Sequence, residues 1–245
     1  MGVLVDPELP SAAAASPGLH VTDALQSYWV SSRPAVPRPP RLRIAEDIRR
    51  EPEKWVGRCS SIASLGTLID GAMAFAIDDA LAGVCKRIEI RIGVDGSAVV
   101  SHDGPGFDPR RASQGLQRWP WPQRTPDGEI VLTQARGAPV VTCALSHWCH
   151  LEVRRGDGVW RQAFYRGRPE CPLRRVSSLG RNSTGTELRF RPDRTIFSGL
   201  AFELDDLYMR GLGYMLDLPL ADLHLSDERT RAPTLVITGG SHLLG

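Results

Sequence analysis

The sequence predicts an α+β domain in which helices cover one face of a mixed, mostly antiparallel sheet. Two observations carry that reading. Residues 60–84 place Ile62, Leu65, Leu68, Ile69, Met73, Phe75, Ile77 and Leu81 at helical rather than alternating spacing, the pattern of a long buried helix. Further along, runs that alternate apolar and polar residues are punctuated by Asp95-Gly96 and Gly156-Asp157-Gly158, which marks antiparallel hairpins.

Taken in order, residues 1–40 form a Pro/Ala-rich arm and residues 41–245 the domain. The arm ends in SSRPAVPRPPR. Its prolines remove donors and restrict the residues before them, so no regular element crosses Pro34 to Pro40. Inside the arm, HVTDALQSYWV can turn Leu25, Tyr28 and Trp29 to one side of a short amphipathic helix. The long helix of the domain stops at Gly83, a residue suited to a helix end. RIEIRIGVDGSAVVSHDG then gives the first hairpin, with Ile88, Ile90 and Ile92 alternating before the turn and Val99 and Val100 after it. Residues 104–134 change to proline, glycine, tryptophan and arginine, which indicates a long functional loop or lid, or disorder, with no helix assigned. Beyond it, APVVTCALS reads as a short helix, WCHLEVRRGDGVWRQAFYRG as the second hairpin and TGTELRFRPD as a strand. LDDLYMRGLGYML is helical despite two glycines, and ADLHLSDE and PTLVITG are late strands.

Composition excludes more than it identifies. The 245 residues, 42% hydrophobic and 24% charged, suffice for one substantial core. A formal charge of +2 singles out neither nucleic acid nor a membrane surface. No run nears the roughly 18–20 apolar residues of a membrane span, and the start lacks a basic segment ahead of an apolar one. A cytoplasmic protein without a membrane or nucleic-acid partner is expected. Lys54 and Lys86 are its only lysines, a bias toward arginine that fits a GC-rich bacterial genome. The five cysteines are scattered and include no CxxC pair, which favours reduced thiols. In SHWCH, a strand would send His147 and Cys149 to one face and His150 to the other, which argues against a shared metal.

Several phrases, in order, resemble the N-terminal ATPase domain of the bacterial DNA gyrase B protein, a member of the GHKL (Bergerat-fold) superfamily. They are IRREPEKWVG, IDDALAG, VDGSAVVSHDGPGFDP, ALSHWCHLEVRRGDGVWRQAFYRGRPECPL, STGTELRFRPDRTIFS and LHLSDER, spanning roughly Ile44 to Arg229. The resemblance implies a sandwich of a mixed sheet and a helical layer, with a nucleotide pocket between helix and loop. In the family, a glutamate on the pocket helix polarises the attacking water and an asparagine one turn later ligates magnesium. Alignment on IDDALAG puts Gly71 and Phe75 at those positions. Neither can accept a proton or bind a hard cation. Asp70 precedes Gly71, but one residue is about 100° around a helix, so it points elsewhere.

The adenine-site loop is altered too: the family's Asp-Asn-Gly-x-Gly becomes His102-Asp103-Gly104-Pro105-Gly106. The lid segment reads Gln134-Ala135-Arg136-Gly137-Ala138-Pro139-Val140, where Pro139 removes one amide that could face phosphate and Arg136 could compensate by charge. Residues that match the family are Asp78 and Asp79 on the helix, Gly104 and Gly106 in the loop, Arg161 on the rim hairpin and Thr186 in TGT. Each also has a structural role open to it: a solvated helix face, a turn, a surface ion pair, a β-former.

These substitutions lead to a degenerate gyrase-B-like domain without ATPase activity, whose former nucleotide pocket takes a non-nucleotide small molecule without metal or cofactor. Any conversion would be a cyclisation, isomerisation or dehydration. Asp78, Asp79, His102 and Asp103 are the candidate proton carriers, and Phe75, Gly104, Gly106, Arg161 and Thr186 the candidate ligand contacts. Two alternatives stand beside this reading. One is a pseudo-ATPase module that binds a protein partner through the arm and the Trp119-Pro120-Trp121 loop; the other is an ATP-binding topoisomerase-like domain.

Overall fold

A computed structural model describes residues 44–118, 122–124, 130–132, 138–156, 158–178, 184–218, 220–230 and 232–239. Contacts divide the chain at residue 33, and every described residue belongs to the second unit. The expected arm, the Trp119-Pro120-Trp121 motif and Arg136 lie outside the described residues.

Two short helices, α1 (Ile44–Arg50) and α2 (Glu53–Val56), precede the long α3 (Ile62–Leu81). Every residue of α3 from Leu68 to Ile77 is buried. A helix apolar on all sides must be enclosed on all sides, and α3 is: α5 (Pro139–Leu145), α6 (Leu204–Asp217) and the sheet surround it. The first hairpin is β1 (Arg87–Ile92) and β2 (Ala98–His102), the second β5 (Ser146–Arg155) and β6 (Gly158–Tyr165). With β7 (Arg168–Pro169), β8 (Arg174–Ser178), β9 (Gly185–Pro192), β10 (Asp222–Asp227) and β11 (Leu235–Thr238) they form one nine-stranded sheet. Its order is β11-β10-β1-β2-β9-β5-β6-β7, with β8 beside β6. The β1–β10 pair is parallel and the others antiparallel, as the mixed sheet expected from the sequence requires.

Register decides what faces the helices. Thr186 on β9 lies opposite both His102 on β2 and Val153 on β5, and Val153 lies opposite Trp160 on β6. Val153, Leu151 and Leu188 are buried, so this row faces the core. The next row, Glu187, Glu152 and Arg161, alternates to the opposite, charged face.

The 104–134 segment corrects the sequence reading, because it carries a helix, α4 (Pro109–Gly115), and a separate ladder of β3 (Pro122–Arg124) with β4 (Ile130–Leu132). Asp108 caps α4 by accepting from the Arg111 amide at 2.9 Å, with Pro109 in the first turn. An N-cap acid followed by proline was the legible signal. In SHWCH, Cys149 is buried while the His150 ring stacks on Trp148 at 4.7 Å, so these two separate as expected, whereas His147 stands edge-on to the exposed Tyr165 beside a register shift in the strand.

Candidate functional site

The C-terminal end of α3 meets the end of β2 at Asp79 and His102. His102 is 5% exposed. Its Nδ1 accepts from the Gly104 amide at 3.3 Å and lies 3.5 Å from Asp79 Oδ2. An amide always carries its hydrogen, so Nδ1 presents a lone pair and the proton of the neutral ring sits on Nε2. Both Nε2 and Asp79 Oδ2 are buried and find no hydrogen-bond partner among the described residues. An unmet buried polar group costs about 1–3 kcal/mol.

Burial sets both protonation states. It pushes the Asp79 carboxyl up to about 6 against the opposing charge of Arg155. It holds His102 down at about 4, aided by Arg154 and opposed by Asp103. The pair is therefore no salt bridge at neutral pH: a neutral imidazole lies beside a carboxyl that takes a proton readily.

Glycine makes this approach feasible. A Cβ on Gly104 would strike the Asp79 carboxylate, and one on Gly106, where φ is +81°, would strike the Arg154 carbonyl. Across the sheet, Thr186 Oγ1 accepts from the Phe107 amide at 3.0 Å. Phe107 in turn stands edge-on to Phe75, with centroids 5.5 Å apart. Phe75 is buried in the core and meets the loop through this ring contact.

About one turn before Phe75 on α3, Gly71 is closed by another helix. A Cβ there would collide with Thr142 Oγ1 and lie 2.8 Å from the Ala138 carbonyl oxygen. Thr142 is held by donating to the Leu68 carbonyl at 2.8 Å. Nothing in the sequence pointed to Thr142, since the α3–α5 approach is purely tertiary. Asp70 points away as expected, toward Arg210 Nη1 at 3.1 Å and the Tyr214 hydroxyl.

Other predicted residues fall elsewhere. Asp103 Oδ1 accepts from the Lys86 and Arg87 amides at 2.8 and 2.9 Å, which ties the start of β1 to the end of β2. Burial acts to raise its pKa, but these amides outweigh it and hold the carboxyl below its ordinary value. Arg161 is on the charged sheet face, where its Nε donates to Glu152 at 2.6 Å. Asp78 is half-buried beside Asp79. The structure thus brings together Asp79, His102, Gly104 and Thr186, with Phe75 behind Phe107, and leaves Arg161 apart.

Magnesium does not fit positions 71 and 75, which offer no oxygen side chain and are closed by Thr142 and Phe107. Among the described residues, no group of three His, Cys, Asp or Glu side chains is placed to hold a metal. Among them, too, no helix is long and apolar enough to cross a membrane.

The sheet order, the enclosed α3 and the loop after β2 define a GHKL, or Bergerat-fold, domain. The chain is homologous to the ATPase domain of the B proteins of DNA gyrase and topoisomerase 4. It is 28% identical over 209 residues to the topoisomerase 4 B protein of Streptococcus pneumoniae, covering 77% of this chain and 31% of that protein. To the DNA gyrase B protein of Haloferax volcanii it is 30% identical over 223 residues, covering 81% and 33%. The crystal structure of the 43K ATPase domain of Thermus thermophilus gyrase B, in complex with an aminocoumarin, superposes with a TM-score of 0.63 at 28% identity, over 81% of this chain and 52% of that one. The chain thus spans about a third of the curated relatives' length. No protein-family model matches it.

Proposed function

We propose that this domain has lost ATP hydrolysis by its relatives' route and uses the region around Asp79, His102, Gly104, Phe107 and Thr186 to bind a non-nucleotide small molecule without metal. The closure of position 71 carries the reading. A glutamate there would need the space of Thr142 Oγ1 and the Ala138 carbonyl, so restoring the water-activating acid requires moving a helix. Phe75 adds apolar volume where the family's metal amide would stand, and it is packed on Phe107. Conversion of the ligand, if the domain is an enzyme, is a metal-independent isomerisation, cyclisation or dehydration, in which Asp79 and His102 are the groups able to exchange protons. Asp103 is occupied by two backbone amides, which leaves it a supporting role, while Arg161 pairs with Glu152 on the other face of the sheet and lies outside this region. A cytoplasmic setting fits this reading.

The test is ATP turnover with magnesium, followed by phosphate release, beside calorimetric titration of the nucleotide. The expected result is no turnover above buffer. Turnover that EDTA abolishes would overturn the reading.

A further inference from the structure

We propose that Asp79 and His102 form a proton-transfer couple for an enolisable carbonyl compound, Nε2–H of His102 polarising the carbonyl oxygen and Asp79 Oδ2 exchanging the proton on the adjacent carbon. The inference rests on the reading of this region as a metal-free small-molecule site. Its own ground is that two touching side chains each bury one unmet atom, and that these atoms are of opposite kind. Nε2 is a donor because Nδ1 is taken by the Gly104 amide. Asp79 Oδ2 is an acceptor to which no described residue donates. Most buried polar groups in folded proteins are hydrogen-bonded, and each unmet one calls for an explanation. A ligand that meets both at once must offer an acceptor and an acidic hydrogen a few bonds apart, which is the arrangement of a ketone and its α-carbon.

The step balances without a co-reactant. The α C–H bond breaks, its proton passes to Asp79 Oδ2, and its electron pair forms the C=C bond of an enolate. The carbonyl π pair moves onto oxygen, where Nε2–H holds it. Asp79 then returns the proton to another atom of the conjugated system, so substrate and product are isomers. Neutral imidazole suits the donor role, since it stabilises the enolate without surrendering its own proton. Phe107, half-buried in the loop that carries Gly104 and packed against Phe75, adds an aromatic ring to this region, which favours a flat, apolar body on the ligand. Both unmet atoms are enclosed, so the substrate reaches them by lifting the Gly104–Phe107 loop, and closure then excludes water.

The probe is 2-tetralone, a flat aromatic ketone, incubated with the full chain in D2O; loss of its α-proton signal is followed by NMR, with saturation transfer reporting binding. Exchange about 100-fold above buffer is expected, within the range of general acid–base catalysis. Asp79→Asn should return it to the buffer rate, and His102→Gln should slow it about ten-fold or more, with both variants checked for native near-UV circular dichroism. The wild-type rate should rise with pH through about 6 and level off, as Asp79 ionises beside His102 and under the charge of Arg155. Exchange at the buffer rate by folded protein overturns the couple, whether or not 2-tetralone binds. If ATP is also inert, the metal-free reading survives that failure; if ATP with magnesium turns over, both fall. Exchange that persists in Asp79→Asn overturns the assignment of the base.

Discussion

Two of the three acids on helix α3, Asp70 and Asp79, have opposite fates. Asp70, in its middle, is 2% exposed, yet Arg210 and Tyr214 of α6 satisfy it, and Arg210 also reaches Asp206 and the Ala63 carbonyl. Gly66 is what lets the guanidinium lie across the helix, for a Cβ there would run into it. Asp79, near the C-terminal end, has a buried oxygen with no donor among the described residues and a histidine lone pair 3.5 Å away. One acid fastens the helical layer together. The other is left unmet at the family's pocket, and stability that a partner would add there is forgone. On the proposed reading, a ligand rather than a neighbour completes it.

Removing the satisfied acid should have the largest effect. Asp70→Ala leaves the mostly buried Arg210 without its main counter-charge, and a loss of about 3–5 kcal/mol in urea unfolding is expected. A loss below about 1 kcal/mol would show that α6 does not depend on this pair.

The unmet acid should reveal itself through pH. Its folded pKa of about 6 lies above the ordinary 3.8, so the folded state holds the proton more tightly and this contribution is lost as pH rises through 6. His102 has the reverse sign. At about 4 against 6.5, its contribution is present above 6.5 and lost as pH falls through 4. The two slopes oppose each other, with the Asp103 carboxyl beside the pair held below its ordinary value. Relative to wild type, Asp79→Asn should therefore gain up to about 3 kcal/mol as pH rises from 4 to 6, and the advantage that His102→Gln holds at pH 4 should shrink by a similar amount over the same rise. Parallel slopes in the two variants would break the pairing.

A smaller effect belongs to Gly71→Glu, which pushes a side chain into Thr142 and the Ala138 carbonyl. It should cost about 1–3 kcal/mol by overpacking and restore no ATP turnover. Least of all is expected from Arg161→Ala. That side chain is 61% exposed against Glu152, so stability should change by about 0.5 kcal/mol or less, and 2-tetralone exchange should not change at all. A strong loss of exchange would return Arg161 to the site.

Strand and helix order were readable because local pattern determines them: the helical spacing from Ile62 to Leu81 and the alternation of Ile88, Ile90 and Ile92 each admit one reading. The sequence also placed His102 and Asp79 in one site, through resemblance rather than periodicity. It missed α4, although Asp108-Pro109 announces a helix start, because the prolines and tryptophans that follow dominate the composition of the segment.

What no local pattern holds is which side chain meets which across the layers. Asp79 and Asp103 look alike in sequence as carboxylates beside the loop, yet one is unmet and the other caps two amides. Arg161 and Thr186 were assigned to the same pocket, and a one-residue alternation in strand register put them on opposite faces of the sheet. The sequence by itself determined that positions 71 and 75 lack the acid and the amide. Only the tertiary structure decided that position 71 is also closed, because the distance between two helices is set by every residue in their interface and is written in none of them.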